Sequence, residues 1–87
     1  MEIEMYYKPG CPFCMAAEKL FLSKKRNPKK INLLELGKDK LEELSEKSGG
    51  WKTAPMIFID GKFYGGYSDV KKLDDEGKLD NILTTQQ

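Results

Sequence analysis

Lys8-Pro9-Gly10-Cys11-Pro12-Phe13-Cys14 holds the only two cysteines of the 87-residue chain. Before it, Ile3, Met5 and Tyr7 alternate with Glu2, Glu4 and Tyr6, which is the pattern of a strand. After it, Ala16 with Leu20 and Ala17 with Phe21 recur at helical spacing up to about Lys25. The two thiols therefore stand where a strand feeds a helix. Residues three apart share one face of a helix. Cysteines so placed can reach the ~5.5 Å Cα separation that a disulfide prefers, so the pair can close and open with little backbone movement.

Chemistry at such a junction follows from charge. The thiolate is the attacking species, and the ordinary cysteine pKa near ~8.5 falls at helix N-termini or beside a cation. Cys11 is expected to have both aids, in the unpaired N–H groups of the first turn and in Lys8. Pro12 suits the first turn, where its missing N–H is not needed. Cys14, one turn further in, is expected to be more buried and to act as the resolving thiol. A structural zinc ion wants four ligands, and the chain has no histidine and no third cysteine. Redox catalysis at Cys11 and Cys14 is the reading the spacing favours.

Composition narrows the classes of function. The chain is long enough for one small domain with a modest core. A formal net charge of +1 does not suggest a protein built to grip nucleic acid. Its acidic start, Met1-Glu2-Ile3-Glu4, does not read as a signal peptide. The longest clearly apolar run, Met56 to Ile59, is far short of the ~20 residues that span a bilayer. These features lead to a cytoplasmic expectation, with no membrane and no nucleic-acid partner, and a cysteine pair in that setting is more often catalytic than structural.

Further along, Lys24-Lys25-Arg26 and Lys29-Lys30 read as a solvated helix end. Ile31 to Leu36 reads as a second strand. Lys38 to Lys47 reads as an amphipathic helix with Leu41 and Leu44 facing inward. Met56 to Ile59 and Lys62 to Tyr64 flank Asp60-Gly61, a strong hairpin signal. Ser68 reads as the N-cap of a helix running to about Glu76, and Leu79, Ile82 and Leu83 as a last short turn. Residues 1–83 form a single domain, and Thr84 to Gln87 a flexible tail. The order β-α-β-α-β-β-α predicts an α/β fold. Its four-stranded mixed sheet has a parallel first pair and an antiparallel last pair, with helices on both faces.

Thr53-Ala54-Pro55 precedes the best strand, and Gly65-Gly66 would let a ligand approach backbone closely. Read alone, Pro55 is trans on base rate. Taken together, Cys11-Pro12-Phe13-Cys14, Thr53-Ala54-Pro55, Asp60-Gly61 and Gly65-Gly66-Tyr67-Ser68-Asp69 resemble the glutaredoxins. So does the ending Leu73-Asp74 with Gly77-Lys78-Leu79-Asp80. The resemblance covers nearly the whole chain.

It implies a thioredoxin-like fold, glutathione as co-substrate and a cis Pro55 facing the thiols. Carried over by position, the glutathione site comprises Lys8, Phe13, Lys52, Thr53, Ala54, Pro55, Gly66, Tyr67, Ser68 and Asp69. Lys8 and Lys52 would meet the glycyl carboxylate. The backbone of Ala54 would pair with the cysteinyl backbone. The N–H groups near Tyr67 and Ser68 would take the γ-glutamyl carboxylate, and Asp69 its amine. The implied activity is that of a monomeric, dithiol, glutathione-dependent thiol–disulfide oxidoreductase. Its substrates would be protein disulfides and glutathionylated proteins, with ribonucleotide reductase among the candidates, and no metal is expected. Ala54 stands where the family usually has Val, and Phe13 where Tyr is commoner. Trp51 before Lys52-Thr53 is a feature of the monothiol, iron–sulfur branch, which has Ser at the position of Cys14 and Gly at that of Pro12. The alternatives are thus a dimer holding an iron–sulfur cluster through Cys11 and glutathione, or a redoxin reduced by a flavoprotein reductase.

Overall fold

The computed structural model describes residues 2–85. Strand β1 (Ile3–Tyr7) leads to helix α1 (Pro12–Ser23), strand β2 (Lys29–Asn32) and a single 3₁₀ turn (Leu33–Glu35). Helix α2 (Lys38–Lys47), strands β3 (Met56–Ile59) and β4 (Lys62–Gly65), and helices α3 (Tyr67–Asp75) and α4 (Leu79–Thr85) follow. The strands lie in the order β2-β1-β3-β4. β1 is parallel to β2, and the other two pairings are antiparallel, as expected. Asp60 and Gly61 both have positive φ, 52° and 83°, as the tight hairpin between β3 and β4 requires. Among the described residues no helix is long and apolar enough to cross a membrane.

Alternation along the strands builds two cores. Ile3, Met5, Ile57 and Ile59 pack with Ala17 and Phe21 of α1, Val70 of α3, and Leu79 and Leu83 of α4. On the opposite face Tyr6, Met56 and Phe58 pack with Leu44 of α2, flanked by Trp51 and Phe63. Tyr6, grouped with the two glutamates in the sequence pattern, is therefore buried, its ring edge-on to Phe58 at 5.7 Å. The physical reason is that both faces of this sheet are covered, so the central strand needs apolar groups on each.

Several boundaries differ from expectation. The second strand starts earlier and stops at Asn32. The Asn32 side chain accepts the Leu34 N–H at 2.9 Å, and this local bond turns the chain into the 3₁₀ segment. Lys29 and Lys30 therefore lie on an edge strand, where lysines oppose unwanted pairing. Leu41 was expected to face inward but is 42% exposed, because α2 presses only Leu44 against the sheet. Helix α3 begins at Tyr67 with Gly66 as N-cap, so Ser68 is a first-turn residue and not the cap. Helix α4 includes Thr84 and Thr85, whose places in the expected tail are thus helical; Gln86 and Gln87 lie outside the described residues.

Charged groups fasten the helices that carry the site. Lys24, the C-cap of α1, reaches Asp74 of α3 at 2.7 Å and Asp80 of α4 at 3.1 Å. Arg26 donates to the Leu83 carbonyl at 3.1 Å. The basic cluster read as a helix end thus ties the ends of three helices together.

Candidate active site

Cys11 is the N-cap of α1, in extended conformation, with Pro12 immediately inside the helix. A cysteine there plays the part that Ser or Asp usually plays. Its Sγ accepts the Cys14 N–H at 3.1 Å, so a first-turn amide points at the sulfur. Any negative charge that forms on Cys11 is thus met by a backbone donor and by the positive end of α1. Cys11 is partly exposed, while Cys14 is buried.

Burial sets the state of the inner thiol. Cys14 is pushed up from its ordinary 9.0 to about 11, first by burial, then by its hydrogen bond to Cys11 and by charge on Cys11. The Lys8 backbone N–H and the Lys8 charge pull it down, but by less. Cys14 is therefore a protonated thiol at neutral pH. In the unfolded chain its proton leaves near that ordinary 9.0, so between there and about 11 the folded state holds more protons than the unfolded one. The stability this lends is complete below the ordinary value and is lost as pH rises through the window. Reduced wild-type protein is expected to lose on the order of 2 kcal/mol more than Cys14→Ala across it. Denaturant titrations at stepped pH measure the difference; parallel curves for the two proteins would contradict the burial of this thiol.

The loop before β3 reaches Cys11 through Ala54. Ala54–Pro55 is cis, as the resemblance implied and the base rate did not. The Cys11 thiol donates to the Ala54 carbonyl, Sγ to O at 3.9 Å. Phe13, Thr53, Ala54, Pro55, Gly66, Tyr67, Ser68 and Asp69 line one cleft of about 280 Å³, together with Trp51. The rings of Phe13 and Tyr67 stack across its mouth at 6.2 Å. Lys8 lines the adjoining cleft that holds Cys11 and Cys14. Lys52 lies beside Lys8 and Thr53 on the other flank. Each residue expected at the site lines one of three clefts, which share Lys8, Trp51 and Thr53 among them.

Asp69 has a further duty. Gly66 has no side chain to cap α3, so Asp69 closes the helix from within, accepting the Gly66 N–H at 3.0 Å. Gly66 as cap offers no side-chain acceptor to the first-turn N–H groups of α3, which leaves that end suited to an anion. Gly65, at φ +100°, lies so close that an added Cβ would collide with the Asp69 carboxylate. Trp51 is not among the glutathione contacts implied by the resemblance, although its place in the sequence sets it near the site. It packs edge-on to Phe63 at 5.4 Å and walls the cleft. A Cβ on Gly66 would come within 3.2 Å of its ring. Its indole N–H is buried with no partner among the described residues. The signal for it was only its position four residues before Pro55.

A partly exposed thiol at a helix N-terminus, a buried protonated thiol one turn on and a cis Ala54–Pro55 bond whose Ala54 carbonyl meets the first thiol define a thiol–disulfide oxidoreductase of thioredoxin-like fold. The sequence model of the glutaredoxins matches residues 3–64. Glutaredoxin 1 of Rickettsia prowazekii is 37% identical, over 97% of this chain and 88% of its own. The solution structure of glutaredoxin from Brucella melitensis is 36% identical with a TM-score of 0.81, covering 100% of this chain and 92% of that one. The crystal structure of a buckwheat glutaredoxin–glutathione complex is 28% identical with a TM-score of 0.85, covering 97% and 77%. The chain belongs to the glutaredoxin family.

Proposed function

We propose that the protein is a dithiol glutaredoxin that uses glutathione to reduce protein disulfides and glutathionylated thiols. The single observation that carries this is the unequal thiol pair, Cys11 at the helix cap and Cys14 buried and protonated, beside a cleft ending at the open N-terminus of α3. Cys11 attacks one sulfur of the substrate disulfide. The Cys11–substrate S–S bond forms as the original S–S bond breaks, and the departing sulfur leaves with the electron pair and takes up a proton. Cys14 then gives up its proton and attacks the Cys11 sulfur, releasing the second substrate thiol. The substrate has gained two electrons, and Cys11 and Cys14 are joined. One glutathione reopens this bond as a mixed disulfide on Cys11. A second attacks the glutathione sulfur and leaves as glutathione disulfide. With a glutathionylated protein the same mixed disulfide arises directly, and Cys14 is not required.

The tripeptide would lie with its cysteinyl backbone on Ala54. Its γ-glutamyl carboxylate would face the N–H groups of Tyr67 and Ser68, and its glycyl carboxylate Lys8 and Lys52. The amine would meet Asp69. Such work fits a cytoplasmic, reducing setting and a monomer; ribonucleotide reductase remains one candidate substrate. A coupled assay with glutathione, glutathione reductase and a small mixed disulfide tests the reading. Lys52→Ala is expected to raise the KM for glutathione by a few-fold at most, since exposed charge pairs contribute ~0–1 kcal/mol. Asp69→Ala is expected to raise it roughly tenfold or more, as charge-assisted hydrogen bonds contribute ~1.5–3 kcal/mol. It should also cost about 1 kcal/mol of stability, because Asp69 caps α3. Unchanged kinetics in both variants would mean that glutathione docks elsewhere.

A further inference from the structure

A second cavity, of about 290 Å³, opens on the other flank of the Thr53 loop, between the 3₁₀ turn and α2. Leu44 and Met56 form its buried floor. Leu34 and Leu41 form its rim, 70% and 42% exposed. Lys8 and Lys52 line it as well, and among the described residues no acidic one does. It is not separate from the thiols: Lys8 also lines the cleft with Cys11 and Cys14, and Thr53 the cleft of the cis proline. Single exposed leucines are ordinary on a protein surface. Two of them over an apolar hollow whose charged lining residues are Lys8 and Lys52 form a surface complementary to an acidic group next to an apolar one.

We propose that this groove receives the segment that follows the reactive cysteine of a polypeptide disulfide substrate, an acidic residue against Lys8 and Lys52 and then apolar residues over Leu34 and Leu41. The direction rests on the docking of glutathione proposed above. A chain whose cysteine pairs with Ala54 and whose preceding residue faces α3 must continue toward the two lysines. Glutathione ends there; a longer chain goes on over the leucines, at ~3.3 Å per extended residue. The lysines would set direction and encounter rate in a salt-dependent way, and the leucines would supply apolar burial that glutathione cannot use.

The test mixes pre-reduced protein with symmetric peptide disulfides in a single turnover, without glutathione, so the outcome does not depend on glutathione being the reductant. Cys11 attacks one sulfur, one peptide leaves as a thiol, and Cys14 releases the other. The disulfide of Gly-Cys-Asp-Leu-Leu is expected to oxidise the protein roughly tenfold faster than that of Gly-Cys-Asp-Ser-Ser. The double variant Leu34→Ser, Leu41→Ser should remove this preference. It should leave the coupled turnover of a small mixed disulfide, which reads the glutathione site alone, as in wild type. Equal rates for the two peptides in wild-type protein would overturn the proposal. So would a faster reaction when the leucines precede the cysteine, or a preference that survives the double variant. Sedimentation showing that the leucines hold two copies together would overturn it too, by giving the groove to a second chain.

Discussion

Replacing Cys11 with serine is expected to abolish turnover of every disulfide substrate, by at least on the order of 1000-fold. The serine hydroxyl still fits the cap position, so α1 should stay formed and the loss should lie in the chemistry. Cys14→Ser should behave differently. It is expected to retain removal of glutathione from glutathionylated thiols, where a second glutathione finishes the reaction. It should lose reduction of protein disulfides, which needs an internal thiol against the Cys11 sulfur. The two substrates assayed side by side separate these roles. Retained protein-disulfide reduction in Cys14→Ser would show that Cys14 does not resolve the intermediate. Iodoacetamide labelling at neutral pH offers a second check: Cys11 should be modified and Cys14, buried and protonated, should not.

The largest loss of stability is expected from Phe21→Ala. Phe21 is 0% exposed and sits beneath α1, against the sheet face formed by Met5, Ile57 and Ile59. Truncating a buried Phe to Ala costs ~3–5 kcal/mol, as lost transfer energy plus the cavity left behind. Small domains have only ~5–15 kcal/mol in total, so the variant should be marginal. The effect should reach the site, since Ala17 and Cys14 stand on the same buried side of α1. Urea unfolding of the reduced protein measures it, and a loss under about 1 kcal/mol would mean the core does not depend on this ring.

How far the sequence revealed these features follows from where each signal resides. The thiol motif, the hairpin at Asp60-Gly61 and the strand Met56 to Ile59 are local, and all three stand where expected. The shape of the glycine-rich turn is not local. Ser68 is a good cap by type, yet Asp69 reaches back to Gly66 and starts the helix two residues sooner than a Ser68 cap would. Asn32 stands inside an apolar run, so the bond that ends β2 there is invisible to hydrophobic pattern. The cis state of Pro55 came from family resemblance, because nothing in three residues around a proline dictates it. The groove of Leu34 and Leu41 depends on how α2 lies against the 3₁₀ turn, whereas periodicity alone turns Leu41 inward.

In the function proposed above, Cys11 forms the bond and the surface from Lys52 to Asp69 holds the tripeptide. A crystal structure of Cys14→Ser, trapped as its mixed disulfide with glutathione, tests it most directly. The sulfur bond is expected on Cys11. The cysteinyl backbone should pair with Ala54, the γ-glutamyl carboxylate should lie against the N–H groups of Tyr67 and Ser68, and the glycyl carboxylate should lie between Lys8 and Lys52. A tripeptide bonded to Cys11 but lying away from Ala54 and the start of α3 would contradict the account.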